Sequence, residues 1–156
     1  MDHIGTLPFL TEKTSFTGKV YMTGATKAIG ALLIRDLIRL GTASSEDVMY
    51  NERDLATCLD RVKIIDFHVP IIVDGIKITA YHAGHVLGGA MFLIEVGGVK
   101  VMYTGDYSRE EDRHLPAAEV PPATPDVLIC ESTYGKQSHE PRFEREDRFT
   151  SAPFSY

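Results

Sequence analysis

The chain is short of several things, and each shortage excludes a class. It has only two cysteines, Cys58 and Cys130, far apart and without metal-binding spacing. A disulfide framework is therefore excluded, and a reducing compartment, cytosol or nucleus, fits. No apolar run approaches the roughly 18 residues that would span a bilayer, so no membrane contact of that kind is expected. The N-terminus lacks a basic stretch followed by an apolar one, so no secretory leader is expected. Positive charge is in deficit: 16 Lys plus Arg stand against 22 Asp plus Glu, a formal net charge of -6. That excludes a simple basic clamp on nucleic acid, which needs a cationic surface. It leaves room for a site that brings its own positive charge as metal ions. Internal repeats beyond two hairpins and low-complexity tracts are also missing. What is there, 44% apolar and 24% charged residues over 156 positions, makes one globular domain with a core and is too short for two large ones.

Along the chain, Val20-Tyr21-Met22-Thr23 reads as a short buried strand. Thr26 opens a helix with Ile29, Leu32, Leu33, Leu37 and Leu40 at three-to-four spacing and Gly41 as its C-cap. Ser44-Ser45-Glu46-Asp47 reads as a second helix start, and Asn51 to about Val62 as a third helix with Leu55, Leu59 and Val62 on one face. The period then changes. Ile71-Ile72-Val73 and Ile76 to Tyr81 flank Asp74-Gly75, and Met91–Val96 and Val99–Tyr103 flank Gly97-Gly98. Both are hairpin signals. A fifth apolar run, Val127–Cys130, comes after a proline-rich connector, and Pro141 to Phe149 is charged and helical. Early helices and later strands, with a strand at each end, give an α/β layered domain with a mixed sheet.

Chemistry-bearing residues gather where these strands stop. His82 and His85 come after the strand ending at Tyr81, Asp106 comes after Tyr103 through Thr104-Gly105, and Glu131 comes after Cys130. Asp2 and His3 precede Gly5. Strand-end loops collect ligands in layered α/β folds, and imidazoles with carboxylates are donors that zinc accepts. Each residue alone also has a plain reading. A loop histidine is usually a surface or hydrogen-bonded residue, an aspartate after glycine a turn residue or cap, and Glu131 a cap for the segment after it. His68, His114 and His139 stand outside the strand ends and take that plain reading. His82 is left open, too near His85 in the chain for the same strand-end role.

Four stretches change the balance: Met22-Thr23-Gly24-Ala25-Thr26-Lys27-Ala28-Ile29; Tyr81-His82-Ala83-Gly84-His85-Val86-Leu87-Gly88; Tyr103-Thr104-Gly105-Asp106-Tyr107-Ser108-Arg109 with Asp112-Arg113-His114-Leu115; and Glu131-Ser132-Thr133-Tyr134-Gly135. With them the chain resembles the metallo-β-lactamase superfamily, in its nucleic-acid-cutting branch with the inserted β-CASP domain. The resemblance implies part of an αββα sandwich, mixed sheets with flanking helices, over residues 1–151, with a divergent tail at 152–156. The N-terminal strands and the β-CASP insertion have no counterpart in the chain. It also implies site roles. Asp2 and His3 match the last two positions of the family's His-x-His-x-Asp-His signature, ligands of a second zinc. His85 matches a ligand of the first zinc, Asp106 the aspartate that bridges both, and Glu131 the acidic residue that holds a downstream histidine as general acid.

The implied activity is zinc-dependent RNA endonucleolytic hydrolysis in pre-mRNA 3′-end cleavage before polyadenylation. Asp2 and Glu131 are its implied catalytic groups, and Asp2, His3, His85 and Asp106 its implied ligands for two zincs. The implied partners are pre-mRNA and the other subunits of a cleavage and polyadenylation complex, and the implied location is the nucleus. The two leading histidines of the signature and two later histidines have no counterpart, so the ligand set is incomplete. The expectation is an incomplete chain of a functional nuclease. Two other readings keep the fold: a non-catalytic binding module of the same RNA-processing complex, and a small-molecule metallo-hydrolase.

Overall fold

The structure, a computed structural model, describes residues 3–44 and 49–152. Its first half is helical around a two-stranded parallel sheet. Helix α1 (Leu7–Lys13) carries Pro8 in its first turn, where a missing N–H costs nothing. The short apolar runs β1 (Val20–Met22) and β2 (Val62–Ile64) pair in parallel, Val20 opposite Val62 and Met22 opposite Ile64. Two helices lie between them in the chain, α2 (Gly24–Ser44) and α3 (Glu52–Arg61). Neither α1 nor β2 is among the sequence expectations. One is less than two helical turns long, the other three residues whose apolar pattern merges with the helix before it.

Helix α3 starts where its chemistry dictates. The Asn51 side chain accepts from the N–H groups of Arg53 and Asp54, and the Asp54 carboxylate accepts from Asn51 N–H at 2.9 Å, a reciprocal capping box. Lys13 donates to the same carboxylate at 2.8 Å, tying α1 to α3. Leu55 and Cys58 are buried on this helix, as is Val62 just beyond it. Burial pushes the Cys58 thiol above its ordinary range, and Cys130 is exposed; both are free thiols.

Helix α2 departs from expectation in two respects. It runs through Gly41 to Ser44 instead of capping at Gly41, which is buried within the helix. Its core-facing side chains are Ile34 and Ile38, with Gly30, at a spacing of four. Ile29, Leu32, Leu33, Leu37 and Leu40 are all exposed. The helix is apolar on most sides, so periodicity alone does not select the buried stripe. The helix start read at Ser44–Asp47 lies largely outside the described residues, and Ser44 itself ends α2.

The second half is a five-stranded sheet: β3 (Ile71–Val73), β4 (Ile76–His82), β5 (Ala90–Val96), β6 (Val99–Tyr103) and β7 (Val127–Ile129), adjacent in that order. Asp74-Gly75 makes the β3–β4 turn, with Val73 opposite Ile76 and both turn residues at positive φ. Gly97-Gly98 does the same between Val96 and Val99. These are the turns whose twist suits a two-residue hairpin. β3 to β6 are antiparallel, and β7 joins β6 in parallel. Helix α4 (Arg142–Ser151) comes last, with no buried residue.

Two packed clusters result. Ile34, Ile38, Tyr50 and Leu55 form one, with Ile4, Phe9 and Leu59 against it. Met91, Leu93, Met102, Ala83 and Ala118 form the other, on one face of the sheet. The fold is α/β, with mixed sheets and flanking helices.

Two outcomes are expected from the capping box. Asn51→Ala lowers unfolding free energy by about 1 kcal/mol, read by urea titration. The Lys13 ammonium, then Asn51 N–H, hold the Asp54 carboxyl below the usual carboxylate range. A depressed folded value stabilises above the unfolded value of about 4 and is lost as pH falls through the folded one. The Tm gap between the native chain and Asp54→Asn is therefore widest near neutrality and closes as pH drops below about 4.

Candidate metal centre

The sheet topology sets where the site forms. β4 and β6 both run antiparallel to β5, so they point the same way, and β7 is parallel to β6. The C-terminal ends of β4, β6 and β7 therefore lie at one end of the sheet. The segments leaving those ends carry His85, Asp106 and Glu131.

The segment after β4 is tightly folded. Ala83 N–H donates to Gly89 O at 3.1 Å and Gly89 N–H to Val86 O at 2.9 Å. Gly84 sits at φ 63°, and a Cβ there would meet Ser108 O at 2.8 Å and Pro116 O at 3.0 Å. Gly88 sits at φ 85°, with its carbonyl accepting from the Thr23 hydroxyl at 2.8 Å. These two glycines are required by close backbone approach. Between them His85 holds φ 59°. For a non-glycine residue that left-handed backbone costs roughly 1–3 kcal/mol, and such strain collects at functional positions.

Asp106 is the meeting point. Its Oδ2 lies 3.0 Å from His3 Nε2 and 3.8 Å from His85 Nε2. One carboxylate oxygen is thus hydrogen-bonded to one imidazole and within 4 Å of a second, from positions 103 and 21 residues before it. All three side chains are more than a third exposed, so the group opens to solvent. The structure brings together His3, His85 and Asp106; Asp2 lies outside the described residues.

Glu131 stands beside this group. Its Oε1 accepts from Tyr107 N–H at 3.1 Å, next in the chain to Asp106, and its Oε2 accepts from the Thr133 hydroxyl. The Thr133 hydroxyl foremost, then the Tyr107 N–H, hold its carboxyl below the ordinary range, with His85 adding to the same shift. Glu131 is therefore a fixed carboxylate that fastens the segment after β7 to the segment after β6.

A second group is not legible in the sequence. Among the described residues, His68, His82 and Glu119 are the one set whose possible ligand atoms all lie within 4.8 Å of one another. His3, His85 and Asp106 do not form such a set. The plain reading of His68 and the open reading of His82 rest on chain position alone. Glu119 lies in the proline-rich connector, where no strand end flags it.

The amino-acid sequence agrees with this architecture when compared with known proteins. A model of the metallo-beta-lactamase superfamily domain matches residues 1–129. The chain belongs to that superfamily, and its similarities lie in the β-CASP nuclease branch. It is 53% identical over 148 residues to "Endoribonuclease ysh1" of Schizosaccharomyces pombe, covering 95% of this chain and 20% of that protein. It is 54% identical over 151 residues to "Cleavage and polyadenylation specificity factor 73" of Drosophila melanogaster, covering 97% and 22%. With "Cleavage and polyadenylation specificity factor subunit 3-I" of Arabidopsis thaliana it shares 52% identity over 150 residues, covering 96% and 22%. The chain spans about a fifth of the length of these relatives. No helix among the described residues is long and apolar enough to cross a membrane.

The glycine geometry gives a graded expectation. Gly75 has open space around it, so Gly75→Ala pays only for its left-handed backbone, about 1–2 kcal/mol. Gly84→Ala adds a backbone clash to the same cost and should destabilise clearly more, above about 2 kcal/mol. Urea unfolding of the two variants side by side measures the difference.

Proposed function

We propose that this chain supplies one part of a two-zinc RNA endonuclease centre that cuts pre-mRNA before polyadenylation. The observation that carries the proposal is the Asp106 oxygen lying between His3 and His85. The donor chemistry fits zinc: two imidazole nitrogens and a carboxylate at exposed strand ends. On this reading Asp2, His3 and Asp106 would hold one ion, and His85 with Asp106 would contribute two ligands to the other. Three protein ligands are usual for a catalytic zinc, so the first of these sets is full and the second is short.

Zinc, when bound, lowers the pKa of a water toward neutrality and offsets charge on the phosphate oxygens. Asp2 would orient an attacking water or take its proton. The water oxygen forms a bond to phosphorus, the bond from phosphorus to the 3′ oxygen breaks, and the 3′ oxygen leaves with a proton as a hydroxyl. Glu131 is a positioning residue. Held ionised by Thr133 and Tyr107, it offers an acceptor for the histidine that delivers that proton. The net charge of -6 suits a site that grips phosphate through metal while other subunits present the RNA. The nucleus is the compartment that this reading implies.

Metal analysis of the purified chain with an RNA substrate tests this. Zinc should fall in His85→Ala and fall further in Asp106→Asn, which lies beside both imidazoles. RNA cleavage, where present, should disappear with either. Zinc content indifferent to both substitutions overturns the assignment. Zinc loss without any RNA cleavage favours the non-catalytic module, and thioester cleavage in place of RNA cleavage favours the small-molecule hydrolase.

A further inference from the structure

A second set of donors is built on the opposite flank of the β4 terminus. Phe67 forms a bridge with Ala80, and His68 N–H then donates to Ala80 O at 2.9 Å. His68 holds φ 63°, a left-handed backbone that bulky side chains rarely adopt. The Phe67 ring stacks on the His82 ring with centroids 3.8 Å apart, and the His68 and His82 rings meet edge-on at 5.6 Å. Glu119 closes the group. Both its carboxylate oxygens lie on His68 Nε2, at 2.9 and 2.8 Å. Its Oε2 also accepts from His82 N–H at 3.2 Å, and its own N–H donates to His82 O at 3.0 Å.

From this geometry we infer that His68, His82 and Glu119 bind one divalent zinc-type ion, separate from the Asp106 group, and that the ion braces the loop leading away from Asp106. Two imidazoles and one carboxylate are the donors such ions prefer, and three protein ligands leave a position for water. The spacing fits. A tetrahedral ion at about 2.1 Å from each donor sets donors about 3.4 Å apart. The donors here lie within 4.8 Å of one another, with His68 and Glu119 already in contact. Small side-chain rotations close the set. Ordering costs little, because Phe67 packs on His82, Ala80 holds His68, and the His82 backbone holds both the carboxylate and the N–H of Glu119.

The loop consequence comes from the same residues. Ala118, next to Glu119, is buried in the sheet cluster. Its N–H donates to Ser108 O at 2.7 Å, while Ser108 N–H donates to Ala83 O at 2.9 Å. Fastening Glu119 to β4 therefore fastens both ends of the segment that starts at Ser108, two residues beyond Asp106, and ends at Glu119. Hydrogen bonds alone would also fasten it, so the added Tm on metal saturation, absent in Glu119→Gln, is the part that belongs to the ion.

Cobalt(II) is the probe, added to the whole chain carrying His85→Ala and Asp106→Asn, which removes the Asp106 group. The expected result is one equivalent bound with visible d–d absorption, and a raised Tm on saturation. Adding Glu119→Gln, which keeps an acceptor of the same shape, should weaken cobalt binding at least about tenfold, and His82→Gln should do the same. A folded background variant, judged by circular dichroism, that binds no cobalt overturns the inference. So does binding that ignores Glu119→Gln and His82→Gln. Should the background variant not fold, the unmodified chain is titrated against Glu119→Gln alone. Loss of one equivalent supports the site, and unchanged stoichiometry and affinity overturn it. Failure of the Asp106 group to bind zinc would leave this result untouched, because the two groups share no residue.

Discussion

The direction of three strands is the constraint on which the site depends. Because β4, β6 and β7 point the same way, the segments that leave them meet at one end of the sheet. That convergence puts the Asp106 carboxylate 3.8 Å from His85, and the segment before α1 brings His3 to 3.0 Å from it. Reversing any of the three would send its polar residue to the far end, about 10–23 Å away at about 3.3 Å per residue. The local glycines serve the same end. Gly84 and Gly88 let the backbone come close enough for His85 to be held in a strained turn between them.

Carboxylates in this region divide into two kinds of work. Asp106 is open to solvent and shared between imidazoles, an arrangement suited to an ion. Glu131 and Glu119 are each anchored by backbone N–H groups, Glu131 by Tyr107 and Glu119 by His82. Anchoring fixes where the remaining lone pairs of these two carboxylates point. The same loop, from Asp106 to Glu119, thus begins at a carboxylate lying beside two imidazoles and ends at one fastened to a strand end.

Apolar surface is distributed unevenly. The sheet face bearing Met91, Leu93 and Met102 is packed, whereas β7 exposes Val127, Leu128 and Ile129 and α2 exposes Leu32 and Leu40. Contiguous exposed apolar surface marks places where further protein packs.

Local chemistry alone determined much of this molecule. The Asp74-Gly75 and Gly97-Gly98 hairpins, the Asn51 cap and the strand-end positions of His85, Asp106 and Glu131 all depend on residues within a few positions of one another. Short-range rules therefore reach them. The buried stripe of α2 was undetermined, because a helix apolar on most sides carries no internal record of which neighbour it meets. The continuation of α2 past Gly41 was undetermined for the same reason, since a glycine that packs looks like a glycine that caps. The His68–His82–Glu119 group was equally silent: its members come from a turn, a strand end and a connector, 51 residues apart between His68 and Glu119. Only the pairing of β4 with its neighbours, and the return of the connector onto it, brings those donors together, since contact between distant residues is a property of the folded backbone.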